Sequence, residues 1–257
     1  MMSSDSVLPL PENPIIVGFG GVGVDFLAVV PSFPKPDSKI RTTEFTFQGG
    51  GNNGNTMTCA ARLGLKPRII SKVSNDGPGK TMLEELEAEG VDTSFFVVSK
   101  EGTSPFSYVI VDNQTKTRTC IFTPGYPEMV PQDLPRANLL SALDGARMVY
   151  FDARMPDSAL VIAQEPVTKL RAKGIEESVC GRLYYGASEK IPPSELMDTT
   201  GAGDAFVGAV LYAICANISP EKMLPLASYV AAANCRALGA RRGLPYSNNP
   251  CLASFTE

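Results

Sequence analysis

Apolar and polar positions along this chain follow two rhythms, short runs bounded by glycine and longer stretches with a helical period. Residues 14–17 (Pro-Ile-Ile-Val) form a compact apolar run ending in glycines, which predicts a buried strand. The following stretch, 24–36, is β-branched and punctuated by proline, which disfavours helix. Residues 39–48 alternate apolar and polar side chains, as half-exposed strands do. So do residues 106–112 and 117–122, joined across Asn113-Gln-Thr-Lys116. A helix is predicted over 55–63, closed by Gly64, then a strand over 69–73 and a helix over 81–89 closed by Gly90. Further on come a core strand at 147–151, a helix at 158–164, an apolar helix at 205–216 and a last helix pair covering 220–238. Strands alternating with helices imply a mainly parallel α/β core. The hairpin-like pieces add a small β lid near 26–48 and 104–123. This outlines one domain over residues 14–246, with tails at 1–13 and 247–257.

Composition narrows the chemistry. The 257 residues are 44% hydrophobic and 19% charged, with a net charge of −4, ordinary for a globular protein and opposed to nucleic-acid binding. No apolar run reaches membrane-spanning length, and the leader 1–13 lacks arginine, so a cytosolic protein is expected. The six cysteines, Cys59, Cys120, Cys180, Cys215, Cys235 and Cys251, contain no Cys-x-x-Cys pair, which argues against a zinc site and for a reducing compartment. Histidine is absent. That removes Ser-His and Cys-His catalysis and leaves carboxylates as the acid–base groups.

Three glycine-rich stretches compete as ligand loops. Residues 18–23 match G-x-G-x-x-G, but a dinucleotide site needs a helix directly after it, and 24–30 is not helical in pattern. An NAD-dependent oxidoreductase therefore stands or falls on the structure of residues 24–30. Residues 74–81 resemble a P-loop except that Ser74 replaces its first glycine, and a turn leading into a helix explains them. The third is Asp198-Thr-Thr-Gly-Ala-Gly-Asp-Ala-Phe206. Its glycines let the backbone N–H groups of Gly201, Ala202, Gly203 and Asp204 converge on one point, faced by the positive end of the helix that follows. That point suits a phosphate. Asp204 beside it would repel one, unless it serves as the base that deprotonates an attacking hydroxyl. A capped core helix after a tight turn is the plainer alternative.

The whole nonapeptide resembles the C-terminal signature of the ribokinase-like (PfkB) carbohydrate kinase family. Gly50-Gly-Asn-Asn-Gly-Asn55 through Ala61-Arg-Leu-Gly64 resembles the family's N-terminal signature. Pro34–Arg41, the Gly51-Asn52-x-x-Asn55 spacing and Thr117-Arg118-Thr119 look most like the ketohexokinase branch. The resemblance implies a ribokinase-like α/β fold, a mainly parallel sheet flanked by helices under a β lid. It also implies ATP-dependent phosphorylation of a sugar hydroxyl, a ketohexose or a related sugar. Asp204 would be the catalytic base and residues 201–203 an anion hole. Asp25, Gly51, Asn52 and Asn55 would bind the sugar, joined by Asp37 from the lid of a partner subunit in a homodimer. Arg118 would approach the phosphates or the sugar, and Asn234 and Gly239 would line the adenine pocket. ATP would come with Mg²⁺ that no protein side chain ligates directly, and some members add a monovalent cation such as K⁺. Asp198 and Thr200 either frame the loop or bind that cation. On residue chemistry alone, Asn52, Asn53 and Asp25 also suit turns and caps, although asparagines, each donor and acceptor, match vicinal hydroxyls well.

One departure from the family is plain. Between Asp152 and Asp198 there is room for at most two or so βα units, at about 15 to 20 residues each. The family places its Asn-x-x-Glu and Thr-x-Gly-x-x-Gly motifs in this interval, and this chain has neither. A helical pattern stops at Glu165-Pro166 and resumes at 169–174, with a weak strand pattern at 182–185. The chain thus reads as a family member with an internal deletion between about 165 and 188. Its central sheet is then incomplete, and a form that binds sugar or a partner subunit without turnover is the alternative function.

Overall fold

The computed structural model describes residues 7–165 and 184–255. A parallel sheet carries the core. Its strands are β1 (Ile15–Phe19), β4 (Lys66–Ser74), β5 (Phe96–Ser99) and β8 (Met148–Phe151), in the order β5-β4-β1-β8. β1 is buried almost throughout because it lies centrally, between β4 and β8. A second sheet, ordered β3-β2-β6-β7, is the lid: β2 (Gly23–Val30), β3 (Glu44–Gly50), β6 (Phe106–Asp112) and β7 (Arg118–Thr123). The predicted hairpin across 113–116 is antiparallel β6–β7. β2 leaves β1 directly as a strand, so the helix that a dinucleotide fingerprint requires is absent. The P-loop look-alike is likewise a cap: Asp76 accepts the Gly79 N–H at 2.8 Å and starts α2 (Gly77–Ala88).

The period-two alternation of the lid divides its two faces. One cross-strand row, Gln48, Asp25, Ser107 and Phe122, lies on one side. The adjacent row, Phe47, Phe26, Tyr108 and Ile121, lies on the other. Phe26 packs edge-on against Phe47, with ring centroids 5.0 Å apart.

The helices close the body. α1 (Asn52–Arg62) packs on β4 and on α5 (Ala202–Cys215), where the Cys59 thiol donates to the Ala205 carbonyl at 3.4 Å. α5 packs on α6 (Pro220–Asn234), and α3 (Arg136–Leu143) and α4 (Pro156–Gln164) flank the other cluster of the core. The expected helix pair at 220–238 is a single helix. It ends at Asn234, after which the backbone tightens into turns, Arg236 N–H to the Ala233 carbonyl and Ala237 N–H to the Asn234 carbonyl, and passes through Gly239 in a left-handed conformation. The helical pattern at 169–174 falls outside the described residues, and Tyr184 and Tyr185 belong to no strand. Among the described residues the parallel sheet ends at β8, whose four residues are all half-buried. Cys59, Cys120, Cys215, Cys235 and Cys251 are free thiols. No helix among the described residues is long and apolar enough to cross a membrane.

Candidate active site

Two helix starts converge beneath the lid. Gly51 introduces α1 with φ of +82°, and a Cβ there would stand 2.6 Å from the Val22 Cα, so the turn accepts only glycine. This lets the Asn53 N–H reach the Gly21 carbonyl at 3.1 Å, and α1 begins at Asn52 instead of Asn55 as its pattern predicts. Gly201 introduces α5 with φ of +73°, its Cα pressed so close to Ala240 that a Cβ would clash at 2.6 Å.

Asp204 lies in the first turn of α5 and faces the first turn of α1. Asn52 Nδ2 donates to its Oδ1 at 3.1 Å, and Asn55 Nδ2 donates to its Oδ2 at 2.9 Å. Burial pushes its pKa up, against the pull of the two asparagines and Arg118, while Asp152 adds to the rise. Asp25, on the inner face of β2, is 7% exposed, and burial raises its pKa to about 6. Arg241, the Ser107 hydroxyl and Arg118 oppose that rise, and Asp204 reinforces it. Arg118 on β7 reaches down to the loop, its Nη1 donating to Thr199 Oγ1 at 3.2 Å. It pairs with no carboxylate among the described residues.

These groups line one cleft of about 280 Å³. Asp25, Gly51, Asn52, Asn55, Arg118, Gly201 and Asp204 all border it. The first-turn amides of Gly203 and Asp204 have no intrahelical acceptor, as at any helix start, while Ala202 N–H reaches back to the Thr199 carbonyl at 3.3 Å. Asp198 and Thr200 frame the loop: Asp198 Oδ1 accepts from the Thr200 amide and hydroxyl, and Oδ2 accepts from the Gly239 amide at 2.9 Å.

Other expected site residues lie elsewhere. Asn234 is fully buried behind the loop, its Nδ2 donating to the Thr200 carbonyl at 2.9 Å, and Gly239 packs against Gln48. Neither borders this cleft, and both bond the anion loop from behind, Asn234 through Thr200 and Gly239 through Asp198. Asp37 sits on an exposed turn after β2, also away from the cleft. Sequence reasoning missed Arg241, whose Nε bonds Asn55 Oδ1 at 3.0 Å, and Ser107, which faces Asp25. It also missed Asp152, which binds the Gly21 amide at 2.6 Å. Ser107 was recoverable, since it is the β6 position on the face that carries Asp25. Arg241 carried no local signal.

A family model described as "pfkB family carbohydrate kinase" matches residues 15–179 and 185–246. The chain belongs to the pfkB family of carbohydrate kinases. It is 24% identical to mouse ribokinase over 95% of this chain and 96% of that protein. It is 22% identical to mouse ketohexokinase over 89% of this chain and 98% of that protein. Its fold is similar to a solved ribokinase from Cryptococcus neoformans in complex with ADP, with a TM-score of 0.62 at 18% identity over 91% and 97% of the two chains. The alignment with mouse ribokinase runs over 314 positions, more than this pfkB chain has residues. The relative thus carries residues with no counterpart here, and the break in the family match at 179–185 lies inside the interval where the deletion is expected.

Proposed function

We propose that this chain transfers the γ-phosphoryl group of ATP to a sugar hydroxyl, with Asp204 as the general base. The observation that carries this reading is the carboxylate of Asp204 at the mouth of the α5 helix, held by two asparagines on the wall of a cleft. Asp25 and Asn52 accept and donate hydrogen bonds to vicinal hydroxyls and so orient one hydroxyl toward Asp204. As the oxygen attacks, its proton passes to Asp204, and the amides of residues 201–204 stabilise charge on the migrating phosphoryl group. Arg118, paired with no carboxylate among the described residues, is placed to meet the same charge. Among the described residues no three acidic or cysteine side chains gather to hold a metal ion. Mg²⁺ would be carried on the phosphates of ATP and reached through water, where it would neutralise charge on them. The ketohexokinase-like segments point to a ketohexose as acceptor.

A second reading has one observation in its favour. Mouse ribokinase carries residues with no counterpart here, and the family match breaks at 179–185, within the interval to which the resemblance assigns the ATP-phosphate motif; this favours a form that binds sugar without turnover. One experiment separates the two. ADP release is measured with a panel of ketohexoses, aldohexoses, pentoses and nucleosides, alongside calorimetric titration of ATP and of each sugar. The kinase reading expects sugar-dependent ADP release. Sugar binding with neither ATP affinity in the micromolar range nor ADP release would sink it in favour of the second reading.

The lid supplies a partner surface in either case. Phe45, Phe47, Tyr108 and Ile121 are exposed on its outer face by 60, 38, 51 and 52%. A second copy of this chain is the occupant proposed, and Asp37, lying outside its own cleft, is the residue such a homodimer would lend to its partner. Sedimentation equilibrium is expected to give a dimer that Ile121→Glu converts to monomer. A monomeric parent chain at micromolar concentration would refute it.

A further inference from the structure

Arg241 is the buried cation of the described residues, 5% exposed and outside the cleft lining. Its guanidinium threads beneath the loop that opens α1, where a Cβ on Gly49 or on Gly54 would stand 2.5 or 2.8 Å from its nitrogens. Nη2 donates to the Gly50 carbonyl at 3.3 Å, and Nη1 lies 3.7 Å from Glu85 Oε2. That same Glu85 oxygen accepts the Gly49 amide at 2.6 Å, so the pair clamps the loop from below. Nε donates to Asn55 Oδ1 at 3.0 Å.

The last contact has a chemical consequence. A guanidinium offers only donors at any accessible pH, so the Asn55 atom facing it is the carbonyl oxygen. The amide nitrogen of Asn55 is thereby turned to the other side, where it donates to Asp204 Oδ2 at 2.9 Å. A side-chain amide not held in this way can rotate and present its oxygen, which a carboxyl group meets favourably only when protonated. The orientation of Asn55 therefore selects between the two protonation states of Asp204.

We propose that Arg241 is a positioning residue for phosphoryl transfer: by gripping the Asn55 carbonyl it aims the Asn55 amide at Asp204 and keeps that carboxylate in its proton-accepting form. This rests on the reading of Asp204 as the base. The other groups around Asp204 are Asn52 and Cys59 on α1, Arg118 on β7, Asp152 beyond β8, Asp25 on β2 and Tyr150 on β8. Of these, Asp25 itself feels Arg241. Without Arg241, Asp25 takes up its proton at higher pH, and the loss of that negative neighbour draws the Asp204 midpoint down. An upward movement of Asp204 thus does not come through Asp25.

The test is a carboxyl-carbon NMR titration of the full chain labelled at aspartate, paired with the pH profile of kcat. Arg241→Met is expected to raise the Asp204 midpoint by about one pH unit and to move the acidic limb of kcat with it. Arg241→Lys keeps a donor for the Asn55 carbonyl and is expected to restore most of the shift. A purely structural role would lower the denaturation midpoint of both variants and leave the Asp204 titration in place, and that result overturns the proposal. Should Arg241→Met fail to fold, Arg241→Met with Glu85→Gln removes the stranded carboxylate and is titrated in its place. The titration requires no turnover. An unshifted Asp204 refutes the role of Arg241, whereas a parent chain that releases no ADP refutes the kinase reading.

Discussion

Asp204→Asn is expected to lower kcat for sugar phosphorylation by roughly 10²–10⁴-fold, the usual contribution of a general base. The carboxamide has nearly the shape of the carboxylate and cannot take the proton of the attacking hydroxyl. Its environment explains why the loss falls on turnover and not on folding. In the parent chain the ionised group bears a burial penalty, visible in its raised pKa, which the neutral amide does not. Against this, Asn52 and Asn55 both donate to residue 204, and an amide can accept from only one of them in full. The mispaired donor costs about 1 kcal/mol, so the two effects offset and the denaturation midpoint should barely move. Sugar KM should change little, because Asp25 and Asn52 still hold the other hydroxyls. In the parent chain the raised pKa also fixes a sign: the base must be ionised, so kcat falls as pH drops through a midpoint above the ordinary carboxylate range. Coupled ADP release with a chemical denaturation curve checks both halves. A folded variant with parental turnover would remove Asp204 from the chemistry.

How much of this was readable from the chain varies with the range of the interaction. The lid hairpin was legible because its alternation is local, and β2 because proline and β-branched residues exclude helix there. The four-residue β5 has no alternation to betray it, and α3 is short and follows Pro135 without a polar cap. The site divides in the same way. Asp204, Asn52, Asn55 and Gly51 sit in dense local motifs, since a helix start that meets a ligand must concentrate glycine and short polar side chains within one turn. Arg241 and Glu85 reach the loop from distant segments, and nothing near either predicts the meeting. Asn234 and Gly239 carry no such local signal. Only their places in the family pattern suggest the nucleotide, and the chain folds them under the anion loop, where Asn234 bonds Thr200 and Gly239 bonds Asp198.

Asp25 should show stability and function pulling in opposite directions. Its pKa is raised from 3.8 to about 6, and burial is the largest cause. A carboxyl group with a raised folded pKa binds protons more tightly when folded. Its contribution to stability is therefore fully present below about pH 4 and is lost as pH rises through about 6. Above that pH the ionised group costs about 1–3 kcal/mol, the size of a shift of about two units in a largely buried group. Asp25→Asn should recover it, raising the melting temperature at pH 7.5 and giving no gain at pH 4. Arg241 does not reverse the sign, because its pull on Asp25 is the smaller contribution and Glu85 stays beside it at 3.7 Å. The same substitution should weaken the site. A carboxylate that accepts from sugar hydroxyls makes hydrogen bonds of about 1.5–3 kcal/mol, so KM for the sugar should rise about 10- to 100-fold. The parent chain should show a related trend, with sugar KM climbing as pH falls below about 6 while KM in the Asn variant stays flat. A variant less stable than the parent at neutral pH would mean that Asp25 is held by its partners more strongly than burial penalises it. A parental KM unchanged between pH 7 and pH 5 would place the sugar elsewhere than on this carboxylate.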